Sequence, residues 1–273
     1  MLAPKNIPSE YTAWNQKQKA PVGANWWYEY VNSQKPGNNF IWRNRYKWPS
    51  FIIKKIGPFG FQVNSLSRIF EYPWCFLATP LQPGMRVVEV GAGASGFQFA
   101  LAQAGLDVTS VDPLINPSES VDWIFSKDDF YHLNQSFGGK VKFIQDFLQN
   151  AKLESNQYDR VFSVSAIEHI PSQEIGSLVK EIGRILKPGG LFLATIDLFL
   201  DCYPFTNQVS NQYGSNISIS SLVEESGLKL KIGNPSELYG YPEFDYNLIL
   251  NRLDEFLVVN KVLTQCIVLE KAI

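Results

Sequence analysis

The sequence predicts an α/β fold built on a mostly parallel sheet, and three observations carry that prediction. Short apolar runs alternate with stretches of helical period from Arg86 onward, the pattern of strands joined by crossover helices. The first of these runs, Val87-Val88-Glu89-Val90, leads into a turn with glycines at 91, 93 and 96 and then into a helical stretch from about 97 to 103. A strand, a tight turn and a helix in this order let backbone approach a ligand too closely for any side chain. The third observation is a strongly amphipathic segment at 172–187. Ile175, Leu178, Val179, Ile182, Ile185 and Leu186 mark one of its faces, and Lys187-Pro188-Gly189-Gly190 is the expected stop.

Taken in order, residues 1–80 do not repeat the α/β pattern. Residues 1–60 hold nine Lys/Arg against Glu10 and Glu29, and carry Trp14, Trp26, Trp27, Trp42 and Trp48. That aromatic content argues against a disordered basic tail. Gly57-Pro58-Phe59-Gly60 reads as a hinge, followed by a helix over 65–74 that enters the core with Arg68-Ile69-Phe70-Glu71-Tyr72-Pro73-Trp74. Residues 1–60 are therefore expected to be an extension covering the ligand edge of the sheet, and residues 61–273 the main domain. Strands are expected at 86–90, 107–112, 140–145, 159–164, 190–196, 228–233 and 264–270. Further helices are expected at 126–137, ended by Gly138-Gly139, and at 218–226 before Gly227; an insertion fills 234–262.

Bulk properties narrow the class. Net charge is −2, and Cys75, Cys202 and Cys266 are an odd set without C-x-x-C spacing, which argues against a disulfide framework or a zinc site and fits a reducing cytoplasm. The amino terminus lacks the apolar core of a signal peptide. No apolar run approaches the ~20 residues that span a bilayer; the run from Leu191 is broken by Asp197.

The motifs carry the chemistry. A G-x-G-x-x-G turn serves nicotinamide, flavin and S-adenosylmethionine (SAM) proteins alike. Glu89, two residues before the first glycine, favours SAM. A carboxylate at the end of a buried strand is costly unless a cation or donor meets it; an amino group does so, and a pyrophosphate is repelled. Asp112 ends the second strand twenty-one residues after Gly91, placed to take both hydroxyls of an adenosine ribose or to serve as a cap or loop aspartate. Asp146 closes the third strand beside Phe147, as an acceptor for an adenine amino group or as a helix N-cap.

The set Glu-Val-Gly-Ala-Gly-Ala-Ser-Gly, Val-Asp-Pro, Tyr-Asp-Arg-Val-Phe-Ser, Ser-Ala-Ile-Glu-His-Ile and Arg-Ile-Leu-Lys-Pro-Gly-Gly resembles the class I SAM-dependent methyltransferases. Within them it is most similar to the small-molecule branch of ubiquinone and menaquinone biosynthesis. The resemblance covers about residues 65–200 well, the last strands loosely and the first 60 residues not at all. It implies a Rossmann-like, doubly wound sheet of seven strands, the last antiparallel, with SAM across the ends of the first and fourth. By position it implies Glu89, Gly91, Ala92 and Gly93 at the methionine part of SAM, with Asp112 at the ribose and Pro113 flanking the adenine. Asp146 and Phe147 would frame the base, and Ser163-Val164 would give backbone near the sulfonium. The third-strand segment departs from the family by lacking the glycine often found before its acidic residue.

Glu168-His169 is a histidine–carboxylate pair in the expected site, with His169 as a proton acceptor or the pair as the mere start of a helix. Arg68 and Glu71, one helical turn apart, would reach the SAM carboxylate or pair on the surface; His132 reads as structural. A small-molecule methyltransferase is favoured over a nicotinamide oxidoreductase, a non-catalytic SAM-binding protein or a nucleic-acid enzyme. The stretch Trp42–Trp48 has rings and charges suited to stacking bases. Against that, the loop after the fourth strand lacks Asn/Asp-Pro-Pro-aromatic, and no Pro-Cys nucleophile is present. The acceptor pocket is expected to draw on Tyr203, Phe205, Tyr213, Tyr239, Tyr241 and Phe244, unless these rings only pack the insertion. Together with the basic first segment they suggest an aromatic or anionic acceptor.

Overall fold

The computed structural model describes residues 1–20, 44–62, 64–114 and 125–273; Trp26, Trp27, Trp42 and Arg43 lie outside them. Three helices come first: α1 (Ser9–Gln18), α2 (Ser50–Ile56) and α3 (Arg68–Leu77). Then follow β1 (Arg86–Val90), α4 (Phe97–Gln103), β2 (Asp107–Val111), α5 (Lys127–Ser136), β3 (Val141–Ile144), β4 (Tyr158–Val164), α6 (Ser172–Ile185) and β5 (Leu186–Phe199). The chain closes with α7 (Ile219–Ser226), β6 (Lys229–Ile232), α8 (Tyr246–Asn251) and β7 (Val262–Glu270).

All seven strands join one sheet in the order β3-β2-β1-β4-β5-β7-β6. β1 to β5 pair in parallel, while β7 runs antiparallel to both of its neighbours. Parallel strands covered on both faces need apolar side chains on both, which is why they read as continuous Val/Ile/Leu/Phe runs. One face presents Val87, Val108, Val141, Phe162 and Leu193 to α1 through α5. The other presents Val88, Val161, Phe192, Ala194 and Ile267 to α6 and α7. The order reverses direction between β1 and β4, so their crossovers part and leave a crevice at the carboxyl ends of these two strands.

Local chemistry explains the boundaries. Ser126 closes a capping box with Asp129 at the start of α5, and Ser218 accepts the Ser221 N–H at the start of α7. The expected helix stop at Lys187-Pro188-Gly189-Gly190 is different in the structure. α6 ends at Ile185, and β5 already begins at Leu186. Leu186 pairs with Tyr158 and Leu191 with Arg160, so the Lys-Pro-Gly-Gly segment is a bulge within a strand. Gly189 takes a positive φ there, and the Lys187 ammonium reaches Asp159 Oδ1 at 2.8 Å.

The Gly57–Gly60 segment, expected as a hinge, is a buried 3-10 turn over Pro58–Phe61. It is wedged against α4: a Cβ on Gly96 would lie 2.6 Å from the Pro58 carbonyl carbon. The third glycine of the turn therefore serves close packing of this segment. Tyr11, Trp14, Ile53, Ile56, Phe59 and Phe61 share one core cluster with β1, β2 and β4, and the Trp14 ring meets Phe59 at 5.7 Å and Phe76 at 5.3 Å. Leu2 bridges Gln265 of β7. Replacing Trp14 by Ala is expected to cost about 3–5 kcal/mol, the scale of a buried large-to-small change. Urea unfolding checks this, since a residue of a loose appendage would change stability by no more than about 0.5 kcal/mol.

Candidate cofactor and acceptor site

The glycine turn after β1 is built for close approach. Gly91 and Gly93 have positive φ, and the Gly91 N–H still bonds the Val111 carbonyl at 3.0 Å. A Cβ on Gly91 would stand 2.6 Å from Ala166 Cβ, so the turn after β4 abuts the turn after β1. Buried Gln98 holds the loop from within, its side-chain amide donating to the carbonyls of Gly93 and Ser95 at 3.1 Å each. Gln98 carries no sequence signal that distinguishes it from any helix glutamine.

Glu89 is 1% exposed. Its Oε1 accepts the Ser95 hydroxyl at 3.0 Å, while its Oε2 is buried without a partner. Burial pushes its carboxyl up to about 8; the Ser95 hydrogen bond opposes the shift and the Asp112 charge adds to it. An orphaned, desolvated carboxylate oxygen beside a turn that carries no Cβ at Gly91 or Gly93 fits the ammonium of a SAM methionine end. Ala92 is buried within the same loop.

Asp112 Oδ2 accepts the Gly93 N–H at 2.7 Å, and its Oδ1 accepts the Leu114 N–H at 2.6 Å. Burial raises this carboxyl, and the two backbone donors oppose the rise. Each carboxylate oxygen has two lone pairs, so both oxygens remain able to accept a further donor. Pro113 follows, half-buried. At the end of β3, Asp146 Oδ1 accepts from the Phe147 N–H and the Asn150 amide, holding the short turn over Leu148–Asn150, with Phe147 exposed beside it. Ser163 and Val164 are buried in β4 and pair with Ala194 and Thr195 of β5. The Ser163 hydroxyl has no partner.

Beyond β4 the chain gathers a cluster that the sequence reading left scattered. Arg68 forms a buried ion pair with Glu71 inside α3 rather than a surface pair. Burial opposes charge on Arg68, yet Glu71 beside it holds the guanidinium firmly protonated. Glu71 also accepts the Thr264 hydroxyl at 3.0 Å and lies 3.4 Å from the Ser165 hydroxyl. That hydroxyl donates to Asp197 Oδ1 at 3.0 Å. Glu168, 1% exposed, takes the Asp197 N–H on Oε1 at 3.1 Å and keeps Oε2 unpartnered. Burial raises the carboxyls of both Glu168, to about 7, and Asp197, while Arg68 opposes the rise.

The side chains of Glu168 and His169 meet different partners. The His169 ring is exposed and its Nδ1 lies 2.6 Å from the Tyr213 carbonyl oxygen. Asp197 and Ser165 are the residues the sequence reading missed as site members. The available signal was a lone charge inside the apolar run Leu191–Phe199. Tyr203 and Tyr213 are exposed, whereas Phe205, Tyr239 and Phe244 pack together around Leu198, Ile249 and Leu263. Tyr241 packs on the other core cluster.

This strand order, with Glu89 inside β1, the glycine turn after it and Asp112 just after β2, matches the Rossmann-like fold of the SAM-dependent methyltransferases. Residues 88–194 match the family described as Methyltransferase domain. A sterol 24-C-methyltransferase of Gibberella zeae is 31% identical over 124 residues, 45% of this chain and 30% of that protein. A ubiquinone biosynthesis O-methyltransferase of Proteus mirabilis is 27% identical over 164 residues, 54% of this chain and 62% of that one. The chain thus aligns with under two thirds of the length of either relative.

Among solved structures, the [4+2]-cyclase SpnF superposes with a TM-score of 0.53 at 13% identity, covering 77% of this chain and 84% of that one. A SAM-dependent methyltransferase of Aquifex aeolicus superposes with a TM-score of 0.50 at 14% identity, covering 82% of this chain and 98% of that one. These two likenesses speak for the fold alone.

Glu89 offers a direct test of its environment. Between pH 4.5 and about 8 the folded chain holds a proton on Glu89 that the unfolded chain releases, so stability falls as pH rises through that window. Ligand-free Glu89→Gln is therefore expected to lose less Tm than wild type between pH 5 and pH 9. Differential scanning fluorimetry across that range checks it.

Proposed function

We propose that this chain is a SAM-dependent methyltransferase acting on a small-molecule acceptor. The single observation that carries this reading is the unpartnered Glu89 oxygen beside the glycine turn. SAM, when bound, supplies an electrophilic methyl group on a sulfonium. The chain's own residues then have defined tasks. Glu89 accepts the ammonium of the methionine end, the Gly91–Gly93 backbone lies against it, and Asp112 takes the ribose hydroxyls on its free lone pairs. Pro113, Asp146 and Phe147 border the adenine, and the backbone of Ser163 and Val164 faces the reacting end. Arg68 acts by fixing Glu71 rather than by holding the cofactor carboxylate. Transfer of this kind is a matter of alignment and exclusion of water, so the acceptor needs positioning first and a proton acceptor second.

The described parts of residues 1–60, at 1–20 and 44–60, serve as a cover of one sheet face ahead of the domain at 61–273. Within Trp42–Trp48, Arg45 and Tyr46 are buried and the Tyr46 ring packs on Phe125 at 4.9 Å, so these two residues offer no stacking surface to bases. Among the described residues no helix is long and apolar enough to cross a membrane, consistent with work in the cytoplasm. An aromatic acceptor is supported by Tyr203 and Tyr213, which are 58% and 56% exposed. An anionic one is not. Lys17, Lys19 and Lys54 surround a cavity of about 420 Å³ with Gln103 and Gly138, where α1, α2, α4 and α5 end, at the opposite edge of the sheet from the crevice. There they complement helix carboxyl termini.

Calorimetry is expected to show binding of S-adenosylhomocysteine and none of NADH; the reverse result removes the methyltransferase reading. Asp112→Ala is expected to weaken S-adenosylhomocysteine binding by about 1.5–3 kcal/mol, the scale of hydrogen bonds to a charged group, and unchanged affinity would refute the ribose assignment.

A further inference from the structure

We propose that Glu168 and Asp197 form a cation subsite that binds the methyl acceptor as a protonated primary or secondary amine. The proposal rests on the SAM reading above and adds the chemical class of the acceptor. Its first ground is place. The turn carrying Ser165, Ala166 and Glu168 abuts the Gly91 turn, with room for no Cβ between Gly91 and Ala166, and Asp197 stands near the carboxyl end of neighbouring β5. Acceptor-side chemistry in an open parallel sheet belongs at those strand ends.

The second ground is charge. The cation that acts on both Glu168 and Asp197 is Arg68, and Arg68 is already paired with Glu71. Thr264 and Ser165 complete the shell of Glu71. The Ser165 hydroxyl has one proton to give, and it lies closer to Asp197 than to Glu71. Among the described residues, two carboxyl groups therefore remain with no positive charge of their own, and isolated carboxylates taken out of water are strongly disfavoured.

The third ground is an unused acceptor. Glu168 Oε2 is buried with no hydrogen-bond partner, while half-buried Asp197 is the open member of the pair. An ammonium supplies both the missing charge and the missing donors. A benzoate-like anion meets repulsion, and a neutral hydroxyl supplies one donor and no charge. An ammonium nitrogen has no lone pair until it sheds a proton, and either carboxylate stands ready to take it. Among the described residues, the groups facing the pair are Arg68 and Glu71 from α3 and Ser165 from the β4 turn; Tyr72 and Thr264 stand behind them, against Arg68 and Glu71. The backbone of the loop over 211–214 covers the far side, since a Cβ on Gly214 would lie 2.2 Å from the Glu168 carbonyl oxygen. Exposed Tyr213 on that loop offers a ring to the organic part of an amine.

The test uses full-length protein saturated with S-adenosylhomocysteine and three probes that share one ring: benzylammonium, benzyl alcohol and benzoate. Titration calorimetry at neutral pH is expected to rank benzylammonium tightest by about tenfold over benzyl alcohol, with benzoate weakest. Asp197→Asn and Glu168→Gln are each expected to abolish that preference while S-adenosylhomocysteine affinity stays within about twofold of wild type. Equal binding of benzylammonium and benzyl alcohol overturns the proposal, as does a preference that survives both variants. Failure of wild type to bind S-adenosylhomocysteine would instead overturn the cofactor reading beneath it, so the two failures are told apart.

Discussion

Holding carboxylates out of water is costly, and the architecture around the crevice answers to that cost in three different ways. Glu71, Glu89 and Glu168 are all essentially inaccessible, and water can repay none of their lost hydration. Glu71 is provided for by the Arg68 guanidinium and the Thr264 hydroxyl. Glu89 has only the Ser95 hydroxyl and Glu168 only a backbone N–H of Asp197, and each keeps one oxygen bare. A satisfied buried carboxylate explains itself as structure. A half-satisfied one, at the carboxyl end of a parallel strand, stores a demand that a ligand can meet.

The fold brings these three groups together by two separate devices. The reversal of strand order between β1 and β4 opens the crevice and puts Glu89 on one side of it and the Glu168 turn on the other. The chain before β1 then covers one sheet face, with Phe59 wedged against the Gly96 position and α3 laid across β4, β5 and β7. That placement carries Arg68 and Glu71 to Thr264, nearly two hundred residues away in sequence. Tyr11, Trp14, Tyr46, Ile53 and Phe59, from the described part of the first sixty residues, thus belong to the same core that seats the site.

The same backbone plan in a [4+2]-cyclase separates what the fold supplies from what the site must supply. The sheet provides a crevice, a glycine-containing turn and helix amino termini, and the reaction depends on which side chains face the bound groups. In this chain the groups beyond β4 and at the end of β5, Glu168 and Asp197, are acidic, whereas Lys17, Lys19 and Lys54 gather at the far edge around helix ends. Charge summed over a segment therefore says little about charge at a site, because only the folded distances decide which groups meet.

Much was legible from residues alone. The α/β class, all seven strands and the glycine turn follow from period and punctuation, since these are local features of a few adjacent residues. Glu89 and Asp112 were legible for the same reason, each a carboxylate at a fixed offset from a turn. The bulge at Lys187–Gly190 was not, because Pro and two glycines end a helix and interrupt a strand with equal ease, and only pairing with Tyr158 and Arg160 decides between them. The Gly57–Gly60 turn reads as loose for its glycines, yet its burial depends on a void at Gly96 far along the chain. Asp197 looked like an interruption in an apolar run, and Glu168 and His169 looked like a pair. The turn of the backbone after β4 sends the imidazole to the Tyr213 carbonyl and the carboxylate to Asp197. The sequence by itself determined which residues form strands and where a ligand turn begins. Only the tertiary structure decided which carboxylates are neutralised and which are left wanting, because that depends on distances between elements that no local pattern encodes.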